Sequence, residues 1–173
     1  MTRPEEMYNF TVGVAHTYFV GEQEWLVHNR NLCDFSAETK TIKGERITTS
    51  VHATVTPENR RGGTGTNGSS RAWVQNVIGL FSDDAGHIIG RQLGGPGGKR
   101  SENIFAQNVN INRGAYRAFE NRVASYIDRT DETVQIYIEF EFPSPNSTRP
   151  SRVNYNVYDM NGDYLMAETF PNP

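Results

Sequence analysis

The sequence predicts an α+β fold with a helix ahead of an antiparallel C-terminal sheet, and three patterns carry that expectation. Thr133 to Phe142 places Val134, Ile136, Ile138, Phe140 and Phe142 at period two; Tyr116, Phe119, Val123 and Ile127 recur at helical spacing; Ile47 to Thr56 alternates and is rich in β-branched residues. At 173 residues the chain is long enough to bury a core without covalent staples. One compact unit with a small appendage is expected.

Taken in order, residues 8 to 28 carry short apolar bursts, Tyr8 to Val12, His16 to Val20 and Trp25 to Val27, broken by Gly13 and Gly21-Glu22. They read as strand, turn, strand, turn, strand. Residues 29 to 46 are polar and irregular, as a linker is, and 47 to 56 form a strand. Arg60 to Ser70 is glycine, serine, threonine and asparagine without period, hence a flexible loop. Ala72 to Phe81 reads as a strand running into the next motif, His87 to Arg91 as a second short strand, and Leu93 to Lys99 as a loop. Asn112 is a good N-cap, so the helix is placed from there onward. Arg152 to Asp159, the Asn161-Gly162 turn and Tyr164 to Thr169 make a hairpin that completes a three-stranded antiparallel tail.

The single Cys33 cannot close an internal disulfide, and four scattered histidines lack zinc-ligand spacing. No apolar run reaches the ~20 residues that cross a bilayer, and Met1 to Glu6 is not a secretory signal. The net charge of −3 argues against a strongly basic nucleic-acid binder, but its distribution is uneven. Residues 83 to 129 carry seven basic and five acidic side chains, whereas 130 to 173 carry two and seven. The net positive segment is the one that holds the candidate chemistry.

That chemistry lies in Asp83-Asp84-Ala85-Gly86-His87-Ile88-Ile89 and in Asn108 to Tyr116. Hydrolysis of a phosphodiester needs a base for water, a cation for the charge that grows on phosphate, and help for the leaving oxygen. His87 titrates near neutrality and suits the base; Gly86 would leave room for water and phosphate; Asp84 or Asp83 would orient the imidazole. A magnesium-like ion prefers oxygen, and the Asn112 amide offers one. In a helix begun at Asn112, Glu120 would lie about 12 Å along the axis, within reach of the ion only through water. Asn103 and Gln107, in the preceding loop, would orient Asn112 or the phosphate.

Asp84-Ala85-Gly86-His87, with Asn103 to Gln107, Asn112-Arg113-Gly114-Ala115-Tyr116 and Glu120, resembles the DNA/RNA non-specific endonucleases of the ββα-metal (His-Me finger) fold. The resemblance covers roughly residues 70 to 128. It implies that His87 is the general base, Asn112 the direct ligand of Mg2+ or another divalent ion such as Mn2+, Glu120 a ligand through water, and Asn103 a supporting residue. The family's arginine inside the box is Ala85 here, and Arg91 or Arg117 is the expected substitute. Toxin versions of the family carry Asp-x-Ala-Gly-His followed by Gly-Gly-Pro-Gly, as at Asp83 to Gly97.

Residues 1–29 resemble the last strands of the intein-like Hint domain that precedes toxin tips in bacterial polymorphic toxins, with His28-Asn29 as the final pair. The expected division is therefore 1–29 Hint-like remnant, 30–46 linker and 47–173 nuclease toxin domain. The resemblance implies a secreted or delivered toxin that cuts DNA, RNA or both in the target-cell cytoplasm and is held in check by an immunity protein. The rival reading is a catalytically inactive nucleic-acid-binding or adhesion module, favoured by Ala85 and the net acidity.

Overall fold

The computed structural model describes residues 17–20, 25–28, 33–98 and 102–173. The strand expected at Tyr8 to Val12 lies outside them. β1 (Thr17–Val20) and β2 (Trp25–His28) pair antiparallel, Thr17 opposite His28.

β3 (Asp34–Ile42) and β4 (Glu45–Val55) form a long antiparallel hairpin. Its turn residues Lys43 and Gly44 both have positive φ, 52° and 82°, the twist that a two-residue hairpin connection needs. The linker expectation thus fails for 34–42. Its polar composition is that of an edge strand, because β3 lies at one end of its sheet with β4 as its one neighbour and alternates exposed with half-buried residues.

The region expected as a strand from Ala72 to Phe81 is instead helical as far as Ile78. α1 (Gly68–Trp73) runs into a π-helical turn, Val74–Ile78. Asn67 caps it, its side-chain oxygen accepting from the Ser70 amide at 2.9 Å. Trp73, Val74 and Ile78 then share one helical face and bury it in a cluster with Ile42, Ile47, Ala85, Ile104 and Ala106. Trp73 Nε1 donates to the Glu45 carboxylate at 2.9 Å, which satisfies the one polar atom of the buried indole.

β5 (Asp84–His87) pairs antiparallel with β6 (Ile104–Gln107), so Gln107 sits on a strand and not in a loop. The helix that follows starts earlier than expected. Asn108, and not Asn112, is the cap: its Oδ1 accepts from Asn110 and Ile111 amides at 2.9 and 3.3 Å. α2 (Val109–Ile111) passes through a π-helical turn, Asn112–Tyr116, into α3 (Arg117–Thr130). Gly114 kinks that turn with φ −105° and ψ −105°.

β7 (Val134–Glu141), β8 (Arg152–Tyr158) and β9 (Tyr164–Pro171) give the expected antiparallel tail, which joins β4 to make five strands. α3 buries Phe119, Val123, Ala124 and Ile127 against Ile136, Ile138, Tyr155 and Phe170 of this sheet. Phe119 meets the Tyr155 ring at 4.9 Å between centroids. No helix among the described residues is long and apolar enough to cross a membrane.

Two side chains lock the tail to the hairpin. Arg149 donates to both carboxylate oxygens of the buried Asp83, Nε at 2.7 Å and Nη2 at 2.9 Å. Asn172 donates to the carbonyls of Ala106 and Pro150 and accepts from the Asn108 amide at 2.7 Å. The acidic tail is therefore part of what holds β5, β6 and the helix start. Removing one partner of a buried pair leaves an uncompensated charge, so Arg149→Ala should cost about 3–5 kcal/mol in urea unfolding, and adding Asp83→Asn should recover part of that loss.

Candidate active site

Asp84, at the head of β5, faces the π-helical turn. Its Oδ2 accepts from Asn112 Nδ2 at 2.8 Å and from Arg113 Nε at 2.9 Å, and its Oδ1 from Arg113 Nη2 at 2.9 Å. Burial opposes ionisation of Asp84, yet the hydrogen bonds from Arg113 and Asn112, with the Arg113 charge, outweigh it and hold the carboxyl below its ordinary pKa. An ionised carboxylate only accepts, so the Asn112 amide must turn its nitrogen to Asp84 and leave Oδ1 to face elsewhere. Asn112 lines a cleft of about 540 Å³ together with His87, Gly90 and Glu120.

His87, at the other end of β5, is half-buried. Its Nε2 lies 2.9 Å from the Thr64 carbonyl oxygen. A carbonyl cannot donate, so Nε2 carries the proton and the neutral ring keeps its lone pair on Nδ1. Burial lowers the His87 pKa below 6.5, the Arg91 charge adds to the shift, and the Thr64 bond offsets part of it. Neither aspartate orients this ring, contrary to expectation: Asp83 is taken by Arg149, and Asp84 by Asn112 and Arg113.

Thr64 is delivered by the loop expected to be flexible. Backbone bonds Arg61 N to Gln92 O and Thr64 N to Gly95 O, both 3.1 Å, lay it against the turn Arg91–Leu93 and the residues that follow. The approach is close enough that a Cβ on Gly63 or Gly97 would strike backbone of the opposite loop. The two glycine-rich runs in the sequence are the two sides of this contact, and their pairing was the missed signal.

Glu120 is 7% exposed, and Gly90 is what lets it enter the cleft. A Cβ at Gly90 would overlap the Glu120 carboxylate, whose own hydrogen bond comes from the Gly90 backbone. Burial pushes the Glu120 carboxyl up to about 8, with the Gly90 bond acting against it. Its Oε1 is buried with no hydrogen-bond partner. Glu120 and Asn112, on either side of the π-turn and the Gly114 kink, line one cleft.

The remaining expected residues divide. Arg91 and Arg117 both line the cleft, joined by Arg61 and Arg113, which the sequence did not single out. Asn103 is fully buried beneath it: Oδ1 accepts from Ile89 N at 2.8 Å, and Nδ2 donates to Ile89 O and Pro96 O. It positions the backbone after His87. Gly86 is small because Gln107 packs over it, and not to admit substrate. Ala85 is buried in the second apolar cluster, so the cleft takes its positive charge from other positions. Among the described residues no group of three or more His, Cys, Asp or Glu side chains is placed to hold a metal.

The family description "DNA/RNA non-specific endonuclease" matches residues 38–161. The chain belongs to this endonuclease family. A curated relative from Dickeya dadantii (strain 3937), "Probable deoxyribonuclease RhsA", is 44% identical over 124 residues, 71% of this chain but 8% of that protein's length. Two solved structures share the fold at low identity. NucA from Streptococcus agalactiae with magnesium bound gives a TM-score of 0.55 at 13% identity, covering 81% of this chain and 70% of that one. Sda1 nuclease with bound zinc gives 0.61 at 12% identity, covering 89% and 79%. The β5–β6 hairpin followed by the kinked helix is thus the ββα-metal nuclease core.

The atoms nearest to a Cβ at Gly90 are the carboxylate atoms of Glu120, so the need for glycine there follows chiefly from that side chain. Gly90→Ala should destabilise the fold by about 1–3 kcal/mol. In a Glu120→Ala background the same change should cost much less, and a thermal double-mutant cycle measures the difference.

Proposed function

We propose that the chain is a divalent-metal-dependent endonuclease that cuts phosphodiester bonds of DNA, RNA or both, with His87 activating water and Asn112 binding the metal. The observation that carries the reading is the convergence in one cleft of a neutral histidine, a fixed amide oxygen and a buried, unpartnered carboxylate oxygen.

The donors fit a hard cation. Asn112 presents oxygen because Asp84 holds its nitrogen, and Glu120 Oε1 lacks a partner at the same cleft. Few protein ligands and an open cleft suit an ion such as Mg2+ that retains much of its own water. When bound, the ion neutralises charge that builds on the phosphate and on the leaving oxygen. His87 Nδ1 takes the proton of the attacking water as its oxygen bonds to phosphorus and the bond from phosphorus to the leaving oxygen breaks, the departing alkoxide taking a proton from water, while the Thr64 carbonyl fixes the ring. Arg91 and Arg117 direct guanidinium N–H groups at the phosphate oxygens, in place of the arginine replaced by Ala85.

The relative's name supports a wider role. The chain spans a small part of that protein, as a nuclease tip on a larger delivered toxin would. On this reading the nuclease unit, from β3 onward, acts in the cytoplasm of a target cell, after the Hint-like segment 1–29, and the producer carries an immunity protein. Mixed with plasmid and with RNA, the chain should cut with Mg2+ or Mn2+ and stop with chelator. His87→Ala should lower kcat/KM by about 10²–10⁴-fold, and wild type as inert as this variant with every divalent ion would contradict the reading. The His87 pKa is lowered, so the base stays neutral into mild acid. The acid limb of log kcat/KM against pH should bend below 6.5.

A further inference from the structure

The positive wall of the cleft continues beyond Glu120. On α3, Arg117, Asn121, Ser125 and Arg129 recur at every fourth position, so they form one stripe, ~18 Å from first to last at 1.5 Å per residue. All four are exposed. Asn121 lines both the cleft and a second groove of about 460 Å³, whose walls include Ser125, Tyr126, Arg129 and Met166. The stripe is thus continuous from one hollow to the next.

Its charge is directed to solvent. The acidic residues of α3 lie off it: Glu120 is buried in the cleft, and Asp128 is paired with Arg60. Most described arginines are held by carboxylates, as Arg122 is by Glu168 and Arg113 by Asp84. Four described arginines, Arg71, Arg91, Arg117 and Arg129, are in no ion pair; Arg71 lies elsewhere, and the other three line the cleft or its continuation. In a chain of net charge −3, unpaired guanidinium groups along two adjoining hollows favour a polyanion over a protein surface.

We propose that this face of α3 is a track for one nucleic-acid strand leaving the scissile phosphate, with Arg129 holding a phosphate about five nucleotides away at the 3.4 Å rise of a stacked strand. Asn121 and Ser125 donate to the sugar-phosphate backbone between, so the track reads length and not sequence. The inference rests on the nuclease reading of the cleft.

The test measures binding of labelled single-stranded DNA of four and twelve nucleotides to the full chain in chelator, by fluorescence anisotropy over a salt series, with cleavage of both measured in Mg2+. Arg129→Ala should weaken binding of the twelve-mer roughly three- to five-fold at low salt and flatten the slope of log K against log salt by about 0.7. Its preference for the twelve-mer over the four-mer should fall by the same factor in KM, while Ser125→Arg should raise it. Unchanged affinity and slope in Arg129→Ala, or an equal loss on the four-mer, would overturn the track. Self-association abolished by Arg129→Ala, with oligonucleotide binding untouched, would assign the groove to a protein surface and overturn it too. Absence of cleavage by wild type would instead sink the nuclease reading, with the binding series still deciding the track.

Discussion

The cleft depends on one carboxylate. Asp84 receives the Asn112 amide and a two-pronged contact from Arg113, and so ties the first strand of the hairpin to the kinked start of the helix. Charge-assisted bonds of this kind are strong enough to overcome the partial burial of the acid, as its lowered pKa records. Its neighbour Asp83 points to the tail and is gripped by Arg149. Two consecutive aspartates thus anchor the hairpin in opposite directions. Tyr116 closes the frame by donating to the Ile88 carbonyl at 2.6 Å. With the strand and helix held at three points, His87 and Asn112 keep their relation without contact between them.

Within that frame the cleft is built against the preferences of a stable interior. Glu120 is buried with an oxygen unpartnered, and its carboxyl is pushed to about 8 as a result. Under the proposed reading, a cation held in the cleft that Glu120 and Asn112 both line would give that oxygen its partner. Glycine at 63, 90 and 97 serves the same end: backbone and carboxylate approach more closely than any side chain would permit.

Much of this was legible in the sequence, and the failures have physical causes. The period-two run of β7 and the apolar stripe of α3 are long and amphipathic, so pattern alone located them. The family resemblance at the box around His87 and at Asn112 to Glu120 pointed to three residues that line one cleft, His87, Asn112 and Glu120, whereas helical spacing alone set the last two apart. Edge strand β3 was missed since its polar residues face solvent on a strand that has only one neighbour. The helix at 68–78 was mistaken for a strand because its short β-branched segment follows a cap in a glycine-rich stretch. What no local pattern could give were partners far apart in sequence: Thr64 for His87, Arg149 for Asp83, and the interleaved glycine loops.

The central claim is that Asp84 creates the metal site by fixing the Asn112 amide, and Mn2+ affinity tests it without reference to catalysis. Binding of Mn2+ to wild type and to Asp84→Ala is measured by electron paramagnetic resonance, with circular dichroism melts showing both folded. The account predicts that Asp84→Ala binds Mn2+ about 10- to 100-fold more weakly, as expected when a ligand loses the group that orients it. Equal affinity in the two folded proteins would contradict it.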